Sequence, residues 1–156
     1  METSSMLDSD TADRVNDLIR INIDSAKGFR AAAEVVNDVG LRTRFEQYAV
    51  QRDSNAQELR QFVAGSGEEP EDSGSAGGAV HRWWMDLRSK ATGGDAGVVL
   101  SEAERGEDAI KHTYEKAMVD VAGTAVSDVL QRQYTEVKRG HDTIRDLRDA
   151  VKGNGG

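Results

Sequence analysis

Apolar residues recur at spacings of three and four along most of this chain, which is the pattern of amphipathic helices that each bury one face. In the first stretch Val15, Leu18, Ile19 and Phe29 follow this pattern, and three later stretches repeat it. The pattern predicts long helices over about residues 8–38, 41–64, 96–122 and 124–151, and a shorter helix over about 79–91. We therefore expect an all-α protein.

The segments between the helices predict how they connect. Gly40 is expected to end the first helix, Asp95 to cap the third and Thr124 to cap the fourth. Short turns join antiparallel neighbours, so 8–64 and 96–151 should form two helical hairpins. The connection 65–95 is long and begins with a glycine-rich, acidic stretch, so it can let the third helix run parallel to the second. This is the connectivity of a ferritin-like four-helix bundle, with the short helix in the crossover and residues 1–156 as one domain.

Polar residues interrupt the apolar face of each long helix near its middle. The first four occupy stripe positions, and the fifth lies at the edge of the last stripe: Asn22, Arg52, Glu107, Gln133 and His141. Arg52 and Glu107 each lie 12 residues beyond Gly40 and Asp95, the residues that precede their helices. Parallel helices would place these two side chains at one level, with His141 within a turn of them. The sequence thus predicts a central polar layer.

Glycines fall at the same predicted level. Gly28 should lie across from Arg52 and leave room for its side chain, while Gly106 and Gly140 should face each other. A glycine inside a helix costs up to about 1 kcal/mol relative to alanine. We therefore expect close backbone approach, or space for a polar network, at this height.

The layer has two interpretations that the sequence leaves open. In the first, Arg52 and Glu107 form a buried ion pair to which His141 hydrogen-bonds, because charges in a core must be paired. In the second, Glu104, Glu107, Glu136 and His141 hold iron or manganese. Di-iron bundles use Glu-x-x-His motifs, and this chain contains none. We favour the structural lock, with no metal, no other cofactor and no catalytic residue.

Composition narrows the function classes. Charged residues make up 31% of the chain and the net charge is −8, so a nucleic-acid partner is not expected. The chain has no cysteine, which removes disulfides and thiolate chemistry. No apolar run is long enough to span a bilayer, and the acidic start does not resemble a signal peptide, so we expect a cytoplasmic protein without a membrane partner.

His81, Trp83 and Trp84 fall on the short helix, which should cover the open side of the bundle. One ring should be buried, and the other is a possible dimer contact.

Several segments resemble a bacterial family of uncharacterised four-helix-bundle proteins. They are Leu18 to Arg30, Pro70 to Ser75 leading to His81–Trp84, Glu104 to Asp108, and Tyr134 to Ile144. The resemblance implies a ferritin-like domain of unknown function and carries no catalytic residues that could be transferred. It suggests a stress-related role by analogy only. The expectation is a non-enzymatic helical bundle that self-associates, with a dimer favoured. The alternative is a ferritin-like metal-binding or redox protein that uses Glu107 and His141.

Overall fold

The computed structural model describes residues 8–72, 74, 79–90 and 93–155. All regular structure in these ranges is helical. The helices are α1 (Ser9–Val35), α2 (Val39–Gly65), α3 (Ala79–Lys90), α4 (Ala96–Asp120) and α5 (Ser127–Gly155). Each predicted helix is present, with boundaries shifted by a few residues. Within the described residues, no helix combines the length and apolar character that crossing a membrane requires.

Aspartates begin three of the long helices. Asp8, Asp38 and Asp95 each accept a hydrogen bond from the backbone N–H three residues further on, at 2.7, 2.8 and 3.1 Å. Each bond satisfies one of the N–H groups that a helix start leaves unpaired. Thr124, expected to cap the last helix, instead bonds back to the carbonyl of Val121, and α5 begins three residues later.

The turn between α1 and α2 differs from the expectation for Gly40. α1 ends at Val35, and Gly40 is already the second residue of α2, so it is not a helix-ending glycine. Arg42 does part of that work, because its Nε donates to the carbonyl of Ala33 at 3.2 Å. A guanidinium at the carboxyl end of a helix satisfies free carbonyls and opposes the helix dipole.

The crossover is attached to the first hairpin at both ends. At its start, Asn16 on α1 donates to the carbonyl of Glu69 and accepts from the N–H of Glu71. At its end, the carbonyls of Gly93 and Gly94 accept hydrogen bonds from Asn37 in the α1–α2 turn. The start of α4 therefore lies beside the start of α2, and the two helices run parallel.

The core lies along the bundle axis and collects the apolar stripes. Leu18, Phe45, Ile110 and Leu130, one from each long helix, are fully buried. The fold is an all-α bundle of two antiparallel hairpins joined by a crossover with a short helix, as the sequence predicts. α3 packs against α1 and α4 and closes the side of the bundle between them.

Candidate functional site: a two-level polar centre

Arg52 and Glu107 meet in the middle of the bundle. Both side chains have 0% exposure, and Arg52 Nη2 lies 2.5 Å from Glu107 Oε2. Arg52 Nη1 donates to the side chain of Gln51. Gly140 of α5 lies against the pair, since a Cβ there would sit 3.1 Å from Glu107 Oε2. The absence of a side chain at this point of α5 thus leaves space for the pair.

The ring of Phe29 borders this pair. The guanidinium carbon of Arg52 lies 5.6 Å from the centre of the Phe29 ring. Burial raises the pKa of Glu107, while the charge and hydrogen bond of Arg52 lower it. Arg52 is therefore the principal group that favours the ionised form of this carboxyl.

A second polar level lies two helical turns away along α4. Asn22 donates to the Tyr114 hydroxyl at 2.8 Å, and Tyr114 donates to Gln133 Oε1 at 2.7 Å. Gln133 in turn donates to Glu58 Oε1 at 2.9 Å and to the carbonyl of Asn55 at 3.4 Å. Burial raises the pKa of Tyr114, which keeps its hydroxyl a donor. This chain of bonds links all four long helices.

Sequence reasoning found two members of that chain, Asn22 and Gln133, and missed the Tyr114 that joins them. Asn22 and Gln133 stood out as polar residues in apolar stripes, but Tyr114 reads as an ordinary core residue. The usable signal was that buried polar groups need partners. With α1 and α4 antiparallel, Tyr114 is the residue at the level of Asn22 whose hydroxyl can serve both amides.

We expected His141 to hydrogen-bond to the Arg52–Glu107 pair, but it contacts two aspartates instead. Its Nε2 lies 2.6 Å from Asp108 Oδ1, and its Nδ1 lies 3.1 Å from Asp142 Oδ1. The reason is its place at the edge of the α5 stripe, which turns the ring toward the next residue of α4 instead of Glu107. It remains close enough for its charge to lower the pKa of Glu107.

Two glycines accommodate a tryptophan and not the arginine. A Cβ on Gly28 would sit 2.4 Å from the Trp83 ring, and one on Gly106 would sit 2.1 Å from it. Gly28 therefore makes room for Trp83 and not for Arg52, and Gly106 faces Trp83 and not Gly140. Trp83 is 1% exposed, so its ring is buried and lines no interaction surface. The side chains of His81 and Trp84 lie outside the described residues.

Three of the four metal candidates contact other charged side chains. Glu104 pairs with Arg148, Glu107 with Arg52, and His141 contacts two aspartates. Glu136 is half-buried and near enough to Tyr114 to raise its pKa. Across the described ranges, no three histidines, aspartates or glutamates gather in a metal-binding arrangement. Ferritin-like folds imply iron, but this donor set, with a guanidinium on its central carboxylate, does not fit it.

A family model described as a domain of unknown function, DUF2383, matches residues 10–120. The chain belongs to the DUF2383 family. No curated protein matches it. Among solved structures, this DUF2383 chain is similar to a dodecameric thioferritin, the bacterioferritin-related protein from Bacteroides fragilis. The TM-score is 0.76 at 16% identity, over 97% of this chain and 92% of the other.

A second solved structure has a similar fold. A Dps1 mutant from Mycobacterium smegmatis gives a TM-score of 0.64 at 14% identity, over 91% of this chain and 99% of that one. At these identities the likeness concerns the fold alone. The DUF2383 chain is thus an all-α, ferritin-like four-helix bundle, as the connectivity and the resemblance led us to expect.

Proposed function

We propose that this protein is a self-associating, non-enzymatic ferritin-like bundle whose polar centre fixes the alignment of its helices. The observation that carries this proposal is the Arg52–Glu107 pair. The Arg52 guanidinium already neutralises the Glu107 carboxylate, which supports a structural role for this pair. The second level, from Asn22 through Tyr114 to Gln133, requires each helix to keep its height relative to the others. A cytoplasmic location and a stress-related role remain part of the proposal, the latter by family analogy alone.

Metal content separates this proposal from the metal-binding alternative. Protein purified from cells grown with added iron or manganese is analysed by elemental mass spectrometry. We expect far less than one ion per chain, in the original protein and in Glu107→Ala alike. Near-stoichiometric metal that disappears in Glu107→Ala would show instead that Glu107 and His141 serve as ligands.

Self-association is supported by the outer face of the first hairpin. An open groove there is lined by Arg30, Ala33, Glu34, Arg42, Glu46 and Val50. Val50 is 63% exposed, and acidic and basic residues alternate around it. A two-fold axis through this groove would place the arginines of one copy over the glutamates of the other, which is how isologous interfaces complement themselves. The thioferritin of similar fold is described as dodecameric.

A charge introduced at the groove tests this interface. Light scattering coupled to gel filtration should show a dimer or larger assembly for the original protein and smaller particles for Val50→Glu. Val119→Glu is the matched control, because Val119 is 76% exposed on α4, away from the groove. A monomeric original protein, or an assembly that tolerates Val50→Glu as well as Val119→Glu, would contradict the proposed interface.

A further inference from the structure

Among the described residues, the polar centre contains buried side-chain nitrogen and oxygen atoms that no other group of the protein bonds. In the described part of the chain, six buried side-chain atoms have no hydrogen-bond partner among the protein's own groups. They are Asn22 Oδ1, Ser25 Oγ, Arg52 Nε, Asn55 Nδ2, Trp83 Nε1 and Glu107 Oε1. Native proteins rarely leave such atoms unpaired, because each one loses its bonds to water on burial. The demand is greatest at Arg52 and Glu107, which carry charge.

Four of these atoms belong to residues of the two polar levels, namely Arg52 and Glu107 in the first and Asn22 and Asn55 in the second. Arg52 and Asn55 lie three residues apart on α2, and Asn22 and Ser25 lie three residues apart on α1, so each pair shares a helix face. The chain of bonds through Tyr114 and Gln133 joins Asn22 to the backbone of Asn55. The unpaired atoms therefore belong to the interior of the bundle and not to its rim.

The mixture of donors and acceptors identifies the chemical class of the ligand. Arg52 Nε, Asn55 Nδ2 and Trp83 Nε1 can only donate, whereas Asn22 Oδ1 and Glu107 Oε1 can only accept while Glu107 is ionised. A metal cation would be repelled by the guanidinium and meet three donors. An anion would be repelled by the Glu107 carboxylate. A small neutral molecule that both donates and accepts satisfies both groups.

We propose that the polar centre binds internal water molecules, which bridge Glu107 Oε1, Arg52 Nε and the unpaired atoms of Asn22, Ser25 and Asn55. Buried waters with two to four polar partners are regular parts of protein interiors, at about one per 27 residues. They complete the hydrogen bonds that a buried ion pair needs in order to be tolerated. The centre is thus a hydrated site within the core of the bundle.

The direct test is a crystal structure of the full chain at about 1.5 Å, combined with NMR of the arginine side chains. We expect water within hydrogen-bond distance of both Glu107 Oε1 and Arg52 Nε. We also expect a cross-peak between the Arg52 Nε–H and long-lived water. Arg60 is the control, because its Nε already donates to the carbonyl of Glu71 and should show no such water. A map without water at these atoms would overturn the proposal.

A pair of serine variants gives an independent measurement. Ser25→Ala removes a buried hydroxyl, and Ser54→Ala removes an exposed one from α2. Both gain helix propensity, so Ser54→Ala should raise the unfolding midpoint slightly. Ser25→Ala should lower it by several degrees, because it breaks bonds to water. If Ser25→Ala is as stabilising as Ser54→Ala, the hydroxyl had no bound partner and the proposal is wrong.

Discussion

Removing the central guanidinium should destabilise the fold severely, and by an amount that depends on pH. In Arg52→Ala the fully buried Glu107 loses its ion-pair partner, and breaking a buried pair in this way costs about 3–5 kcal/mol. A separate estimate follows from protonation. If Glu107 stays neutral in the folded variant, the cost at pH 7, relative to an unfolded carboxyl with its ordinary pKa of 4.5, is about 3.4 kcal/mol.

The pH dependence distinguishes this mechanism from a simple loss of packing. A carboxyl whose folded pKa is raised loses stability as the pH rises above its unfolded pKa. As the pH is lowered from 7 to 5, the free energy of unfolding lost in Arg52→Ala should therefore decrease by about 1.4 kcal/mol for each pH unit. Replacing both partners by Arg52→Met and Glu107→Leu should restore most of the lost stability, because apolar side chains of similar volume carry no charge to bury.

The measurement is urea unfolding followed by circular dichroism, at one protein concentration because self-association adds to stability. At pH 7 the melting temperature of Arg52→Ala should also fall, by roughly 10–15 °C for a chain of this length. Arg44→Ala, at an exposed position of the same helix, is the control and should change little. A loss no larger than that of Arg44→Ala, or one that does not vary with pH, would refute the buried-pair reasoning.

Three further predictions concern other parts of the centre. Gly106→Ala should lower the melting temperature and shift tryptophan emission to longer wavelength, because its Cβ would overlap the Trp83 ring, whereas Gly153→Ala meets open space and should not destabilise. Tyr114→Phe should cost about 1–3 kcal/mol in urea unfolding, because it leaves the buried Gln133 Oε1 without this donor and leaves the Asn22 amide with only its bond to the carbonyl of Leu18. The hydrogen bond from Lys138, followed by that from His141, lowers the pKa of Asp142 to about 2, so its contribution to stability is present above pH 4 and is lost between pH 4 and pH 2. In Asp142→Asn the free energy of unfolding should vary less between pH 4 and pH 2. The same variation as in the original protein would contradict this prediction.

The sequence predicts the fold well because the fold depends on periodicity and on loop length. Apolar spacings locate the helices, and the long 65–95 connection makes the second and fourth of the five helices parallel. The same counting along two parallel helices brings Arg52 and Glu107 to one level. It succeeds because a helix has a fixed rise per residue, so position along the chain converts directly into height.

What the sequence could not supply is the direction of side chains around each helix. Height alone placed Gly28 opposite Arg52. In the structure, however, Gly28 faces α3, and the Trp83 ring occupies the space that a side chain at Gly28 would take. Height also placed His141 beside Glu107, but a rotation of about 100° per residue presents Asp108 to it instead. Gly40 was misread for another reason, since the Asp38 cap two residues earlier had already begun the helix.

The slot that holds Trp83 bears on the order in which the chain folds. Its two walls, at Gly28 and Gly106, belong to different hairpins, and neither hairpin contains a complete slot. Each hairpin makes mostly local contacts and can form early, as low contact order favours. The Trp83 ring of α3 can pack between Gly28 and Gly106 only after the two hairpins have come together. We therefore expect α3 to dock after the two hairpins have met, and Trp83 fluorescence to report the completed bundle.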